Sequence, residues 1–155
     1  MEQILTFQLE PLANNDPGLI NLLEHENLPI VDLPGRSKEF FCLRDEQGDL
    51  VAAGGLEACD VHAILRSCVV ASGQKGQGVG IRLIEGIIDA AREKQFDHLY
   101  LLTESAAGFF RKRGFSETER GKVPAKVAAS AQFSEICPQN AVAMVLRLDV
   151  SQARD

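Results

Sequence analysis

The sequence predicts an α/β (α+β) fold, a mixed and mostly antiparallel sheet with one parallel strand pair, in a single domain over residues 1–155. Three observations predict it. Strand-like runs at 39–44 and 50–58 flank Asp45-Glu46-Gln47-Gly48-Asp49, a hairpin signal, and a tight link at 59–61 leads to a third run at 62–70. A glycine-rich turn and an amphipathic helical pattern follow, and then another strand-like run at 98–103. A helical crossover between strands of one sheet sets those two strands parallel.

The 155 residues suit one domain, and 45% hydrophobic content is enough for a core. With 16 basic against 22 acidic residues, a net charge of −6 and no basic run, nucleic acid is not an expected partner. No apolar run approaches the ~20 residues of a membrane span. Met1-Glu2-Gln3 has no charged-then-apolar leader layout, so the expected location is cytoplasmic. The cysteines at 42, 59, 68 and 137 form no C-x-x-C pair and read as buried free thiols, with no metal site expected. A soft-metal or arsenical site built from three of them is the alternative.

Residues 3–9 alternate apolar and polar, as in a first strand. Asp16-Pro17 reads as helix N-cap and first helical residue, and Leu19, Ile20, Leu22 and Leu23 give a helix that stops before Pro29. His25, near its end, suits the helix dipole. Residues 28–38 hold Pro29, Pro34 and Gly35 and read as a loop with a substrate-wall role, Asp32 and Arg36 being its charged members. Gly54-Gly55 inside a strand marks a bulge or a close approach.

The helical pattern from 81 to 96 places Ile81, Ile84, Ile88 and Ala91 on one face, widened by Leu83, Ile87 and Ala90. Arg82, Glu85, Asp89, Arg92 and Glu93 form its wet face. Gly86 within it costs about 1 kcal/mol relative to alanine and suggests close packing. Further on, Ser105 is the expected cap of a helix over 106–112 that Gly114 ends. A strand at 115–120, a helix at 124–133, a turn at Cys137-Pro138, a last strand at 141–148 and a frayed tail at 151–155 complete the chain.

The run Val70-Ala71-Ser72-Gly73-Gln74-Lys75-Gly76-Gln77-Gly78-Val79-Gly80 carries chemistry. Glycines between a strand and a helix build a nest of backbone N–H groups that suits phosphate oxygens. A dinucleotide turn would follow the first strand of a βαβ series, whereas antiparallel strands come first here. A nucleotide-triphosphate loop would continue G-K-S/T, whereas Ile81-Arg82 follows Gly80. A pyrophosphate cradle in a mixed sheet remains.

Lys75-Gly76-Gln77-Gly78-Val79-Gly80 resembles the Q/R-x-x-G-x-G/A motif of the GNAT superfamily of acetyl-CoA-dependent acyltransferases, with lysine where arginine or glutamine is commoner. Residues 103–115, Thr-Glu-Ser-Ala-Ala-Gly-Phe-Phe-Arg-Lys-Arg-Gly-Phe, resemble its second block, N-x-x-A-x-x-x-Y-x-K-x-G-F. Residues 65–70, 101–103, 109–110 and 133–138 are similar to the small N-acetyltransferases of arsenic-resistance operons. Those in turn resemble the acetyltransferase domain of N-acetylglutamate synthases. The resemblance implies the GNAT fold, with helices on both faces and a splayed parallel pair. It implies acetyl-CoA (or CoA) as cofactor and a small-molecule amine as partner, and leaves a homodimer open.

By the same resemblance, the backbone of Cys68, Val69 and Val70 meets the pantetheine arm and thioester. Lys75, Gly76, Gln77, Gly78, Val79 and Gly80 hold the pyrophosphate. An N–H near Val70 polarises the acetyl carbonyl. Phe110 stands where the family often has a tyrosine that protonates the leaving sulfur, and Tyr100 is not at that position. Thr103, in place of asparagine, binds the pantetheine or a water. Glu57 is the expected general base, directly or through water, against a plain strand-end carboxylate; Asp60 and His62 are weaker candidates. Arg66, mid-strand, either grips a substrate carboxylate or pairs with a carboxylate of the protein such as Glu57. Two other classes compete: a non-catalytic CoA-binding or regulatory module, and an arsenical-binding protein.

Overall fold

The computed structural model describes residues 8–28, 30, 33, 37–74, 78–136 and 140–148. Among them the strands are β1 (Glu10–Leu12), β2 (Lys38–Arg44), β3 (Leu50–Cys59), β4 (His62–Val70), β5 (His98–Thr103), β6 (Ser116–Thr118) and β7 (Val142–Arg147). They form one sheet in the order β1-β2-β3-β4-β5-β7-β6. β4 and β5 are parallel, with Ala63 beside Leu99 and Ile64 beside Tyr100. The helices are α1 (Pro17–His25), α2 (Val79–Glu93), α3 (Ala107–Lys112) and α4 (Ala125–Ala128). The expected meander and crossover are therefore present. The expected strand at 3–9 falls largely outside the described residues, as do Asp32, Arg36, Cys137-Pro138 and the tail.

The chain divides into two compact units, residues 1–56 with 67–87 and residues 57–66 with 88–155. In the first, the Asp16 carboxylate accepts from the backbone N–H of Gly18 at 2.9 Å and Leu19 at 3.2 Å, with Pro17 next in line. That cap sets Leu19 and Leu23 into a buried cluster with Phe40, Cys42, Ala53 and Val69. In the β2–β3 hairpin, Gly48 takes φ +87° and the Asp45 carboxylate accepts from the N–H of Gln47 and Asp49. Glycine is the residue that makes such a turn without strain.

The glycine pair in β3 marks close approach on both faces. A Cβ at Gly54 would stand 2.9 Å from Ile87 Cδ1 and 3.0 Å from Cys68 Sγ. One at Gly55 would stand 2.7 Å from the Phe40 ring.

Helix α2 departs from its expected span and stripe. Ile81 is 39% exposed, while Val79, Leu83, Ile84, Ile87, Ile88 and Ala91 are buried. Val79, Leu83 and Ile87 recur every four residues along one face, and Ile81, two residues from both Val79 and Leu83, points away from it. The helix ends at Glu93 because Gln95 adopts φ +68°, a left-handed exit, so Phe96 lies beyond it.

In the second unit, Asp60 takes φ +63° in the short β3–β4 turn. β5 pairs antiparallel with β7 from His98–Arg147 to Thr103–Val142, and β6 adds to β7. Cys59, Ile64, Tyr100, Val123, Val127, Phe133 and Ala143 form its core cluster. Three expectations are corrected here. Ser105 does not cap α3: the Thr103 hydroxyl accepts the Ala106 N–H at 3.0 Å instead. The strand at 115–120 is only Ser116–Thr118, since Arg120–Lys122 coils into a 3-10 turn. The helix at 124–133 is only α4 followed by a π-helical turn at Gln132–Ile136. Ser130 lies at that break: its hydroxyl donates to the Val127 carbonyl at 2.7 Å and accepts from the Phe133 N–H. Such local bonding competes with a regular helix.

Candidate active site

The clearest backbone anomaly is Ser67, which adopts φ +56° in the interior of β4. Among the described residues, the other non-glycine positions of positive φ, Asn27, Asp60 and Gln95, sit at helix ends or turns. A serine in this region inside a strand is strained, and such strain gathers at functional positions. Its effect is that of a bulge, breaking the alternation of β4, where Ala63 to Arg66 are buried in succession and Ser67 and Cys68 are half-buried. No residue type in the sequence signals this, because nothing about Leu65-Arg66-Ser67 asks for a left-handed turn.

Cys68, Val69 and Val70 follow the kink. Val69 is buried in the core cluster and the Cys68 sulfur packs over Gly54, so these two side chains are committed to packing. What the segment offers chemically is backbone. Ala71 N–H is held by the Val51 carbonyl at 2.8 Å, tying the end of β4 to β3.

The glycine turn comes next. Gly78 has φ +78° and its carbonyl accepts from the Arg82 N–H at 3.1 Å, so it caps α2. Val79 and Gly80 are the first residues of that helix, and the first N–H groups of a helix have no intrahelical acceptor. Fifteen residues of aligned peptide dipoles stand behind them. This donor set fits a phosphate. Lys75, Gly76 and Gln77 lie outside the described residues.

In the second unit, Glu57 on β3 and Arg66 on β4 form a buried ion pair, Arg66 Nη1 standing 3.0 Å from Glu57 Oε1. Both are nearly inaccessible, at 8% and 2% exposed. Of the remaining predicted site residues, Thr103 ends β5 and holds the start of α3, as above. Phe110, 8% exposed, meets Phe109 and Phe115 edge to face, at 5.2 and 5.5 Å between ring centroids. It has no proton to give and is bound into an aromatic cluster. Arg113 lies over the Phe109 ring.

The weaker base candidates lie in other surroundings. Asp60 is an exposed turn residue, and His62 packs against the rings of His98 and Tyr100. Burial pushes the Tyr100 phenol above its usual range. Burial, then the Glu57 charge, pushes the Cys59 thiol up to about 11, and burial also raises Cys42. Both thiols are protonated at neutral pH and make poor nucleophiles or metal ligands. Among the described residues no three His, Cys, Asp or Glu side chains are grouped to hold a metal, and no helix is long and apolar enough to cross a membrane.

Residues 9–115 match the acetyltransferase (GNAT) family. The amino-acid acetyltransferase of Mycobacterium tuberculosis (strain ATCC 25618 / H37Rv) is 29% identical over 112 residues, 71% of this chain. The match covers 60% of that relative, so this chain spans well under its full length. The N-acetylglutamate synthase of Neisseria gonorrhoeae, solved with coenzyme A and N-acetyl-glutamate, is similar with a TM-score of 0.72 at 20% identity, over 92% of this chain and 35% of that one. Rv2747 of Mycobacterium tuberculosis, solved with CoA and NLQ, gives 0.73 at 21% identity over 90% and 98%. These two structural likenesses carry the fold.

Proposed function

We propose, from the premise that the chain belongs to the acetyltransferase (GNAT) family, that it transfers an acetyl group from acetyl-CoA to the amine of a small molecule. An amino acid or an amino-acid-like compound is the acceptor class, a reading supported by the similarity to the amino-acid acetyltransferase. The observation that carries the proposal is the segment from Ser67 to Gly80. A strained kink redirects the backbone of β4 at Ser67, and further along the chain a positive-φ glycine, Gly78, opens a long helix.

Acetyl-CoA, the donor of the family, supplies an activated acetyl group when bound. In this proposal the amides of Gly76, Gly78, Val79 and Gly80, with Lys75 and Gln77 alongside, hold its pyrophosphate. Backbone groups of Cys68, Val69 and Val70 would hold the arm, and an N–H near Val70 would be the donor for the acetyl oxygen. Glu57 takes the proton that the attacking nitrogen loses, directly or through a water. Arg66 keeps that carboxylate in place, and gripping a substrate carboxylate would require the pair to open. Thr103 and Phe110 contribute to the donor site, the first through its hydroxyl and the second as apolar wall. Phe110 gives the sulfur no proton, which a thiolate of ordinary pKa ~8.5 tolerates.

Incubating the protein with acetyl-CoA and a panel of amino acids, amino-acid-like arsenicals and simple amines tests this, reading free thiol and acetylated product by mass spectrometry. Thiol release that depends on one acceptor is expected. Glu57→Gln should cut the rate by about 10²–10⁴ while leaving CoA affinity unchanged. Tight CoA binding with no turnover on any acceptor would favour the second reading, a non-catalytic CoA-binding module, which Phe110 in the tyrosine position supports.

A further inference from the structure

His62 and His98 open β4 and β5, each one residue before the registered pair Ala63–Leu99, and the function proposed above gives neither a role. Their rings are neighbours, 5.3 Å between centroids and tilted by 52°. Tyr100 closes the group at 5.8 Å from His62, edge-on, and 6.2 Å from His98. Nδ1 of each imidazole is buried and has no hydrogen-bond partner among the described residues. A buried polar atom left this way is costly, and two side by side need an explanation.

We propose that His62 and His98 form a two-imidazole site for a divalent transition ion of borderline softness, Zn²⁺, Ni²⁺ or Cu²⁺, with water completing its coordination. Neutral imidazole is a preferred ligand for these ions. Strands lie about 4.8 Å apart in a sheet, so neighbouring imidazoles reach one ion by turning their rings. The surrounding charges oppose each other. Asp97, preceding His98, favours a cation; Arg147, opposite His98 on β7, disfavours one. Tyr100 is neutral near pH 7, its phenol raised by burial. Each imidazole ligates only in its neutral form. Binding therefore weakens as pH falls and protons displace the ion.

The test is titration of tag-free protein with nickel, zinc and copper salts by calorimetry, together with electron paramagnetic resonance of the copper form. One ion per chain and a two-nitrogen copper signal are expected. His62→Gln or His98→Gln should each weaken binding roughly 100-fold, because the second ligand of a chelate binds intramolecularly. His25→Gln, at an exposed residue of α1, should leave affinity unchanged. Binding retained in the double His62→Gln/His98→Gln variant overturns the proposal, as does wild-type copper with no nitrogen signal or no binding at millimolar metal. The wild-type spectrum reads the ligands directly, so a misfolded variant does not remove the test.

Discussion

Arg66 Nη1 and Glu57 Oε1 lie 3.0 Å apart on adjacent strands, and the arginine side chain is wholly shielded from water. The Glu57 carboxylate so placed relies on the guanidinium for its solvation. Removing Arg66 leaves the Glu57 carboxylate uncompensated in the interior, which typically costs about 3–5 kcal/mol, whereas replacing both by apolar groups is often neutral.

Arg66→Met should therefore destabilise the protein by about 3–5 kcal/mol in urea titration. The double variant Glu57→Leu/Arg66→Met should recover much of that loss. Additive losses would mean that the two charges are solvated independently.

Thr103→Val should cost about 1 kcal/mol, the usual worth of one hydrogen bond, here the one its hydroxyl accepts from the Ala106 N–H ahead of α3. Amide exchange at Ala106 should accelerate with it. Ser105→Ala should stay within about 0.5 kcal/mol, as expected of an exposed side chain with no such role. The reverse ranking would restore Ser105 as the cap.

Gly55→Ala should cost about 1–3 kcal/mol by overpacking, since its Cβ meets the rigid Phe40 ring and, at 3.3 Å, the Glu39 carbonyl. Gly54→Ala should cost less, because the atoms it meets, Ile87 Cδ1 at 2.9 Å and Cys68 Sγ at 3.0 Å, are side-chain ends rather than a rigid ring and a backbone carbonyl. Gly73→Ala, in open space, should be near neutral. Thermal melts of the three variants give the ranking.

Stability should fall on both sides of neutrality. The Cys59 thiol is raised from 9.0 to about 11, so the unfolded chain loses its proton first and stability drops as pH rises through that window. Tyr100, raised from 10.0, acts in the same direction at higher pH. His98 is lowered from 6.5, so the unfolded chain gains its proton first and stability drops as pH falls below 6.5. Cys59→Ala should flatten the alkaline limb in a melting series across pH, whatever its cost at pH 7.

Local chemistry explains which features were legible in the sequence. Asp16-Pro17, the Asp45–Asp49 hairpin and the strand at 62–70 were readable because caps, turns and period-two runs act within a few residues. Gly78 was readable for the same reason. Ile81 misled because apolar spacing alone does not say which of two overlapping stripes meets the core. The Ser105 cap and the long helix at 124–133 failed on a competing hydroxyl, Thr103 in one case and Ser130 in the other. The Ser67 kink is a tertiary fact, since it needs the neighbouring strands to hold a strained residue; the Glu57–Arg66 pair was one of two alternatives for a mid-strand arginine, and only strands brought into register choose it.

Gly54 and Gly55 impose a constraint on how β3 can pair. Phe40 occupies the space over one glycine, and Ile87 with Cys68 occupies the space over the next. Sliding β3 by one residue would bring Ala53 or Leu56 to a place that accepts only a hydrogen. A slip in either direction is therefore penalised at one of the two sites, by Ala53 or by Leu56, and the two residues with least to pack become the ones that disfavour misregistered folding.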